Sequence, residues 1–274
     1  MNEKTEYRRY KDDKVEILAY GDELVIKDRE KNKFYHAKQE SLKKDIPWQY
    51  FNSKVTWLEA SLLVFLTVLM AVEAIVLSSK QAGSVTPNLT IGILVPVFVT
   101  FTIAQIVVHE FAHAAVLHYF GRSPDRIGFH LSLWVFPSVY VRMNDVTMLP
   151  YQDRIVVDDA GLVVNALISL LASVCNMFIR SIPAATVLEV YNLALVFNML
   201  PILHTDGYRI LLAFFRMNEY RSAGSNGRII VAIKVLSYLI AILYALLFIL
   251  FLVRIVTGKP IYAYGLWFGC RAIA

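Results

Sequence analysis

Charge is scarce in this chain. Only 18% of its 274 residues are Asp, Glu, Lys or Arg, against 57% hydrophobic residues and a mean hydropathy of +0.52. A disordered chain needs the opposite balance, and a water-soluble globule carries more charge than this. Cysteine is nearly absent as well: Cys175 and Cys270 make neither a disulfide framework nor a thiolate metal site. The N-terminal stretch lacks a short apolar region followed by a small-residue cleavage site, so the first apolar span is expected to serve as the insertion signal. There is no internal repeat or low-complexity segment, which weighs against an inverted-repeat transporter. The net charge of +5 does not point to nucleic acid, because the basic residues flank apolar runs instead of lining one polar face.

What the chain has is apolar length. Residues 81–108, 160–179 and 235–253 contain no Asp, Glu, Lys or Arg, and a helix of roughly 20 residues crosses a bilayer. Five spans are expected, at about 55–79, 89–119, 156–180, 185–215 and 229–256. Residues 1–54 differ in composition, holding 13 Lys or Arg and 11 Asp or Glu. They read as a small soluble β-rich domain with strands at 15–20, 24–27 and 33–36. Residues 55–256 form the membrane core, and 257–274 a C-terminal tail. Between the second and third spans, residues 127–141 alternate apolar and small or polar side chains. That period of two predicts a reentrant hairpin lying against the helices within the membrane. The expected fold class is therefore mainly α: a polytopic membrane helix bundle with a membrane-associated β-hairpin and a small N-terminal β-rich domain.

The cations orient this bundle. Arg122, Arg126, Arg142 and Arg154 lie between the second and third spans, and Arg216, Arg221 and Arg228 between the fourth and fifth. Only Lys80, Arg180, Lys259 and Arg271 fall in the opposite set. The positive-inside rule then predicts a cytoplasmic N-terminus and an external C-terminal tail.

The sharpest motif is His109-Glu110-Phe111-Ala112-His113, at the end of the second apolar run. Residues four apart stand on one face of a helix, so both imidazoles can converge on one metal ion. Glu110 projects about 100° around the helix from His109, beside the metal, where a general base for water belongs. Ionisable groups at membrane depth are costly and functional by default. A third ligand must come from another helix, and Asp206 ends a long apolar run between Pro201 and Gly207, which loosen the helix there. In the predicted topology the second and fourth spans run in the same direction, which places His113 and Asp206 at similar depth near the cytoplasmic face. Two His and one carboxylate suit zinc and also iron(II).

These residues carry a resemblance to the site-2 protease family of intramembrane zinc metalloproteases. His109 to His113 resembles the family's metal-binding helix, and Asn198, Pro201, Asp206 and Gly207 resemble its N-x-x-P-x-x-x-x-D-G element. Residues 160–165 resemble its A-G-P-x-x-N segment, with Leu162 in place of the usual proline. The resemblance covers roughly residues 55–215. It implies one zinc ion held by His109, His113 and Asp206, water activated by Glu110, and Asn198 at the scissile carbonyl or oxyanion. The strand-like segment, with Leu131 and Leu133, is expected to hold an extended substrate by adding a β-strand to it, and Asn165 is a further candidate for substrate binding. Asn198 and Asn165 equally suit hydrogen bonds between helices. Asp206-Gly207-Tyr208 followed by Ile210, Leu211 and Leu212 resembles the peptide zinc metalloprotease subgroup, linked to maturation or export of small peptides. The linkers leave no room for a PDZ-type domain.

The expectation is thus a zinc endopeptidase in a bacterial cell membrane, with the lipid bilayer and a membrane protein or peptide substrate as partners. Rival readings are regulated intramembrane proteolysis of a signalling protein, a non-cleaving zinc-dependent peptide-binding protein, and a metal permease. Intact Glu110 argues against a pure binder. Among other polar residues, His118 reads as interfacial, His204 as a partner of Asp206 or a solvated helix-end group, and Glu73 and Glu189 as outer-side groups. Trp48, Tyr50, Trp57 and Trp267 read as interfacial anchors.

Overall fold

A computed structural model describes residues 7–41, 46–82, 91–132, 136–202, 205–219 and 227–257. The N-terminal segment forms five antiparallel strands: β1 (Tyr7–Lys11), β2 (Val15–Tyr20), β3 (Glu23–Asp28), β4 (Lys33–Lys38) and β5 (Gln49–Phe51). They lie in the order β4-β3-β2-β1-β5. The sequence pattern finds β2, β3 and β4 but not β1 or β5, whose charged and short segments carry little period-two signal. Period two splits β2 between two faces. Ile17 and Ala19 pack with Leu24 under Trp48, whereas Leu18 and Tyr20 join one apolar cluster with Met148, Tyr151 and Ile155 of the helical part. So small a sheet buries little surface alone, and the helices supply the other half of its core.

Six α-helices follow among the described residues: α1 (Trp57–Ala82), α2 (Ile91–Tyr119), α3 (Tyr151–Ile179), α4 (Ile182–Met199), α5 (Asp206–Phe214) and α6 (Arg228–Thr257). A capping box starts α1, where Glu59 N–H meets the Thr56 hydroxyl at 3.2 Å and Thr56 N–H meets the Glu59 carboxylate at 2.8 Å. Pro150 precedes α3, and Arg180, in the left-handed region at φ 56°, ends it. Helices α1 to α4 are each long and apolar enough to cross a membrane, which makes this a membrane protein. Their exposed residues include Leu62, Phe65, Leu69, Val95, Val99 and Phe178, apolar surface that a bilayer covers.

Helix α3 is the central post and touches α1, α2, α4 and α5. Its close contacts rest on small residues: Ala60, Ala71 and Ala74 of α1 and Ala166, Ser169 and Ser173 of α3 are fully buried. Several polar side chains pair across helices in the interior, as in the chain of hydrogen bonds from Ser169 to Asn192 (2.5 Å) and from Asn192 to Ser78 (2.9 Å).

The expected fourth span, 185–215, is not one helix. It divides into α4 and the short α5, joined through Leu200, Pro201 and Ile202. Proline has no N–H to continue the ladder, and the Thr205 hydroxyl starts α5 afresh by accepting from Tyr208 N–H. The strand-like stretch forms an antiparallel hairpin of β6 (Arg126–Ser132) and β7 (Phe136–Arg142), with Ile127 opposite Val141 and Leu131 opposite Pro137.

Candidate active site

His109 and His113 stand one turn apart on α2, and α5 brings Asp206 to meet them. His109 Nε2 and His113 Nε2 are 3.0 Å apart. Asp206 Oδ2 lies 3.0 Å from the first and 3.5 Å from the second. All three residues are buried. Ligands at ~2.0–2.1 Å from a tetrahedral ion stand about 3.3 Å from one another, so these spacings fit three donors around a single cation.

The outer edges of the rings are engaged too. His113 Nδ1–H donates to the Val157 carbonyl at 2.6 Å, which leaves Nε2 as the lone-pair nitrogen facing Asp206. His109 Nδ1 meets the Asn165 side-chain amide at 3.0 Å. Gly161 makes this approach possible: a methyl group there would overlap Nδ1 and Cε1 of His109 and Nε2 of His113. The donor set of two ring nitrogens and an acceptor-only carboxylate oxygen suits a divalent ion of the zinc type.

Asp206 owes its place to the break after α4. Both amide atoms of Asn198 are engaged with it: Nδ2–H donates to Asp206 Oδ2 at 2.8 Å, and Oδ1 accepts from Asp206 N–H at 3.3 Å. Asp206 is the first residue of α5, where the helix dipole favours a carboxylate. Gly207 lets α5 start against the end of α4, since a Cβ there would collide with the Met199 and Leu200 carbonyls.

Glu110 is half-buried beside the cluster, and its Oε2 accepts from the backbone N–H of Val141 in β7 at 2.8 Å. Three buried acids that the sequence reading passed over lie on α3: Asp153, Asp158 and Asp159. Asp159 accepts from the Thr67 hydroxyl at 2.8 Å, and Asp158 is within electrostatic reach of Arg209, Asp206 and His113. Their position at the head of an apolar run was the available signal.

Of the residues expected at the site, His109, His113 and Asp206 converge, Glu110 adjoins them, and Asn198 and Asn165 contact Asp206 and His109 respectively. Leu131 lies in β6, whereas Leu133, His204, Trp267 and Cys270 fall outside the described residues. His118 and Glu73 are exposed, away from the cluster.

No family model matches the chain, and no solved structure matches it. Among curated proteins it is 31% identical over 252 residues to the Bacillus subtilis (strain 168) protein named "Putative peptide zinc metalloprotease protein YydH". That match covers 90% of this chain and 98% of the relative. Such identity over nearly the full length of both chains, with the metal-suited cluster in place, shows that the chain belongs to the site-2 protease-like family of peptide zinc metalloproteases.

Proposed function

We propose that the protein is an intramembrane zinc endopeptidase that hydrolyses a peptide bond in a membrane-embedded or membrane-associated substrate, with maturation of a small peptide as its role. The observation that carries this reading is the convergence of His109, His113 and Asp206 beside Glu110. His109, His113 and Asp206 would hold one zinc ion. When bound, zinc polarises a carbonyl and acidifies water. Glu110 takes the proton from the attacking water and returns it to the leaving amine as the carbon–nitrogen bond breaks. Its hydrogen bond from Val141 fixes the rotation of the carboxylate, and Asn198 holds Asp206 from behind the cluster.

The hairpin presents the substrate. Because the Val141 N–H is directed at α2 and not at β6, the outer edge of β7 runs along the metal-binding helix. An extended peptide can add to such an edge, as cleavage requires, since a helical substrate shields its own peptide groups. The end of the bundle carrying the sheet, Arg122 and Arg154 is the cytoplasmic one in this reading. His109 and His113 lie about 9–15 Å in from the end of α2 at 1.5 Å per residue, within reach of water from that side.

Zinc content of the detergent-purified wild type, Glu110→Gln and Asp206→Ala, measured alongside cleavage of peptides encoded beside the gene, tests this reading. We expect one zinc per chain in wild type and Glu110→Gln, with cleavage reduced ~10²–10⁴-fold in the latter, and loss of zinc in Asp206→Ala. A wild type without zinc, or cleavage untouched in Glu110→Gln, would overturn it.

A further inference from the structure

Gln105 lies one turn before His109 on α2. It is 2% exposed, and neither Nε2 nor Oε1 has a hydrogen-bond partner among the described residues. Other side-chain amides and hydroxyls of the interior are paired, as where Asn176 donates to Gln81, Asn192 to Ser78, Ser169 to Asn192 and Thr67 to Asp159, although the second Asp159 oxygen is not. An amide in an apolar interior without partners is costly, and here the unpartnered groups cluster. Thr102 Oγ1, three residues earlier on α2, and Asn165 Oδ1, from the amide that meets His109, are also buried without partners among the described residues. The antiparallel register of α2 and α3, with His113 against Val157 and His109 against Asn165, puts Gln105 just beyond the cluster. One turn further on, Phe101 stacks edge-on against Tyr191 of α4 at 5.1 Å and closes that level with apolar side chains.

Resting on the protease reading, we infer that Gln105 is a substrate-binding residue. Its amide holds the backbone of the extended peptide at the peptide group two residues from the scissile bond. The chemistry matches, because a primary amide offers one carbonyl acceptor and N–H donors, the complement of a peptide group. The reach matches as well: four residues of helix climb about 6 Å, and two residues of extended chain cover about 6.6 Å. A peptide whose scissile carbonyl sits at the cluster therefore brings its next like-facing peptide group level with Gln105. Such a contact is made to backbone, so it holds the chain extended without selecting side chains.

The test is binding of hydroxamates to the zinc-loaded full-length protein in detergent. Acetohydroxamate probes the metal alone. N-acetyl-Leu-Leu hydroxamate and the hydroxamate of succinyl-Leu-Leu amide extend a peptide to either side of it. In Gln105→Leu we expect unchanged zinc content and unchanged acetohydroxamate affinity, with one of the two peptide hydroxamates bound about tenfold more weakly. Methylating the peptide nitrogen two residues from the hydroxamate should cost the wild type about tenfold and the variant nothing. Equal affinity of wild type and variant for both peptide probes would overturn the inference. So would loss of zinc or of acetohydroxamate affinity in the variant, which would make Gln105 a support of the metal site. Should Gln105→Leu fail to fold, the methylated probes decide on the wild type alone, and no penalty with either overturns the inference. If acetohydroxamate fails to bind the zinc-loaded wild type, the protease reading itself falls and this inference with it.

Discussion

Two histidines can approach each other and a carboxylate this closely only if the facing helix yields space, and Gly161 is where it does so. The absent Cβ is occupied by the edges of both rings. In Gly161→Ala the methyl group must displace His109, His113 or the α3 backbone, and a shift of a few tenths of an ångström matters in a site with fixed ligand distances. We expect zinc affinity to fall at least tenfold while helical content by circular dichroism stays unchanged; metal titration of the purified variant checks this. The neighbouring residues act in the same way, by orienting the groups that would touch the ion. Val157 and Asn165 set the ring edges of His113 and His109, and Asn198 sets Asp206. Partners of this kind are worth 10–100-fold in metal affinity in other sites.

Elements matter here through their interruptions. The break between α4 and α5 converts what would be one long apolar helix into a span and a short helix whose first residue is Asp206. The β6–β7 hairpin contributes one backbone N–H to Glu110. That donor is absent from Val141→Pro, which leaves every side chain of the cluster untouched. We expect Val141→Pro to keep its zinc and lose about tenfold or more in cleavage. A variant that loses metal and cleavage together would place the hairpin in support of the fold instead. His130→Pro removes an N–H that, by alternation from Val141, faces β7 opposite Ser138, and so separates loss of pairing in the hairpin from loss of that one donor.

At the level of the whole molecule, the sheet is clamped to the helical part by a few specific pairs. Arg122, just past α2, makes a two-point contact with Glu16 of β2 at 2.7 and 2.9 Å. Tyr7 of β1 donates to Gln152 at the head of α3 at 2.9 Å, and Lys27 pairs with Asp145. Burial raises the pKa of the Glu16 carboxyl, but the hydrogen bond and charge of Arg122 outweigh it and leave the group below its usual value. A carboxyl depressed in the folded state contributes stability that is fully present above the ordinary glutamate value of about 4.3. That stability is lost as pH falls through the lower native value. Acidification through that window should therefore loosen the sheet, seen as faster hydrogen exchange in β2, and Glu16→Gln should remove this pH-dependent step. Arg122→Ala leaves Glu16 buried and unpaired, at a cost of about 3–5 kcal/mol, and should expose β2 to exchange already at pH 7. Because the same loops lead into β6 and out of β7, loosening the sheet is expected to lower cleavage as well.

Much of this protein is legible in its sequence, because the signals are local. Apolar runs without charge mark spans, since a bilayer accepts little else. The period of two in residues 127–141 marks the hairpin, and His109, Glu110 and His113 fall into place from helix geometry alone. Asp206 is legible as the end of an apolar run bracketed by Pro201 and Gly207. What only the tertiary structure decides is non-local: that Asn198 grips Asp206, that Val141 reaches Glu110, that Gly161 makes room for two rings, and that Gln105 lies buried without a partner among the described residues. Each depends on how separate elements meet, and a chain written residue by residue carries no such distance until the helices pack.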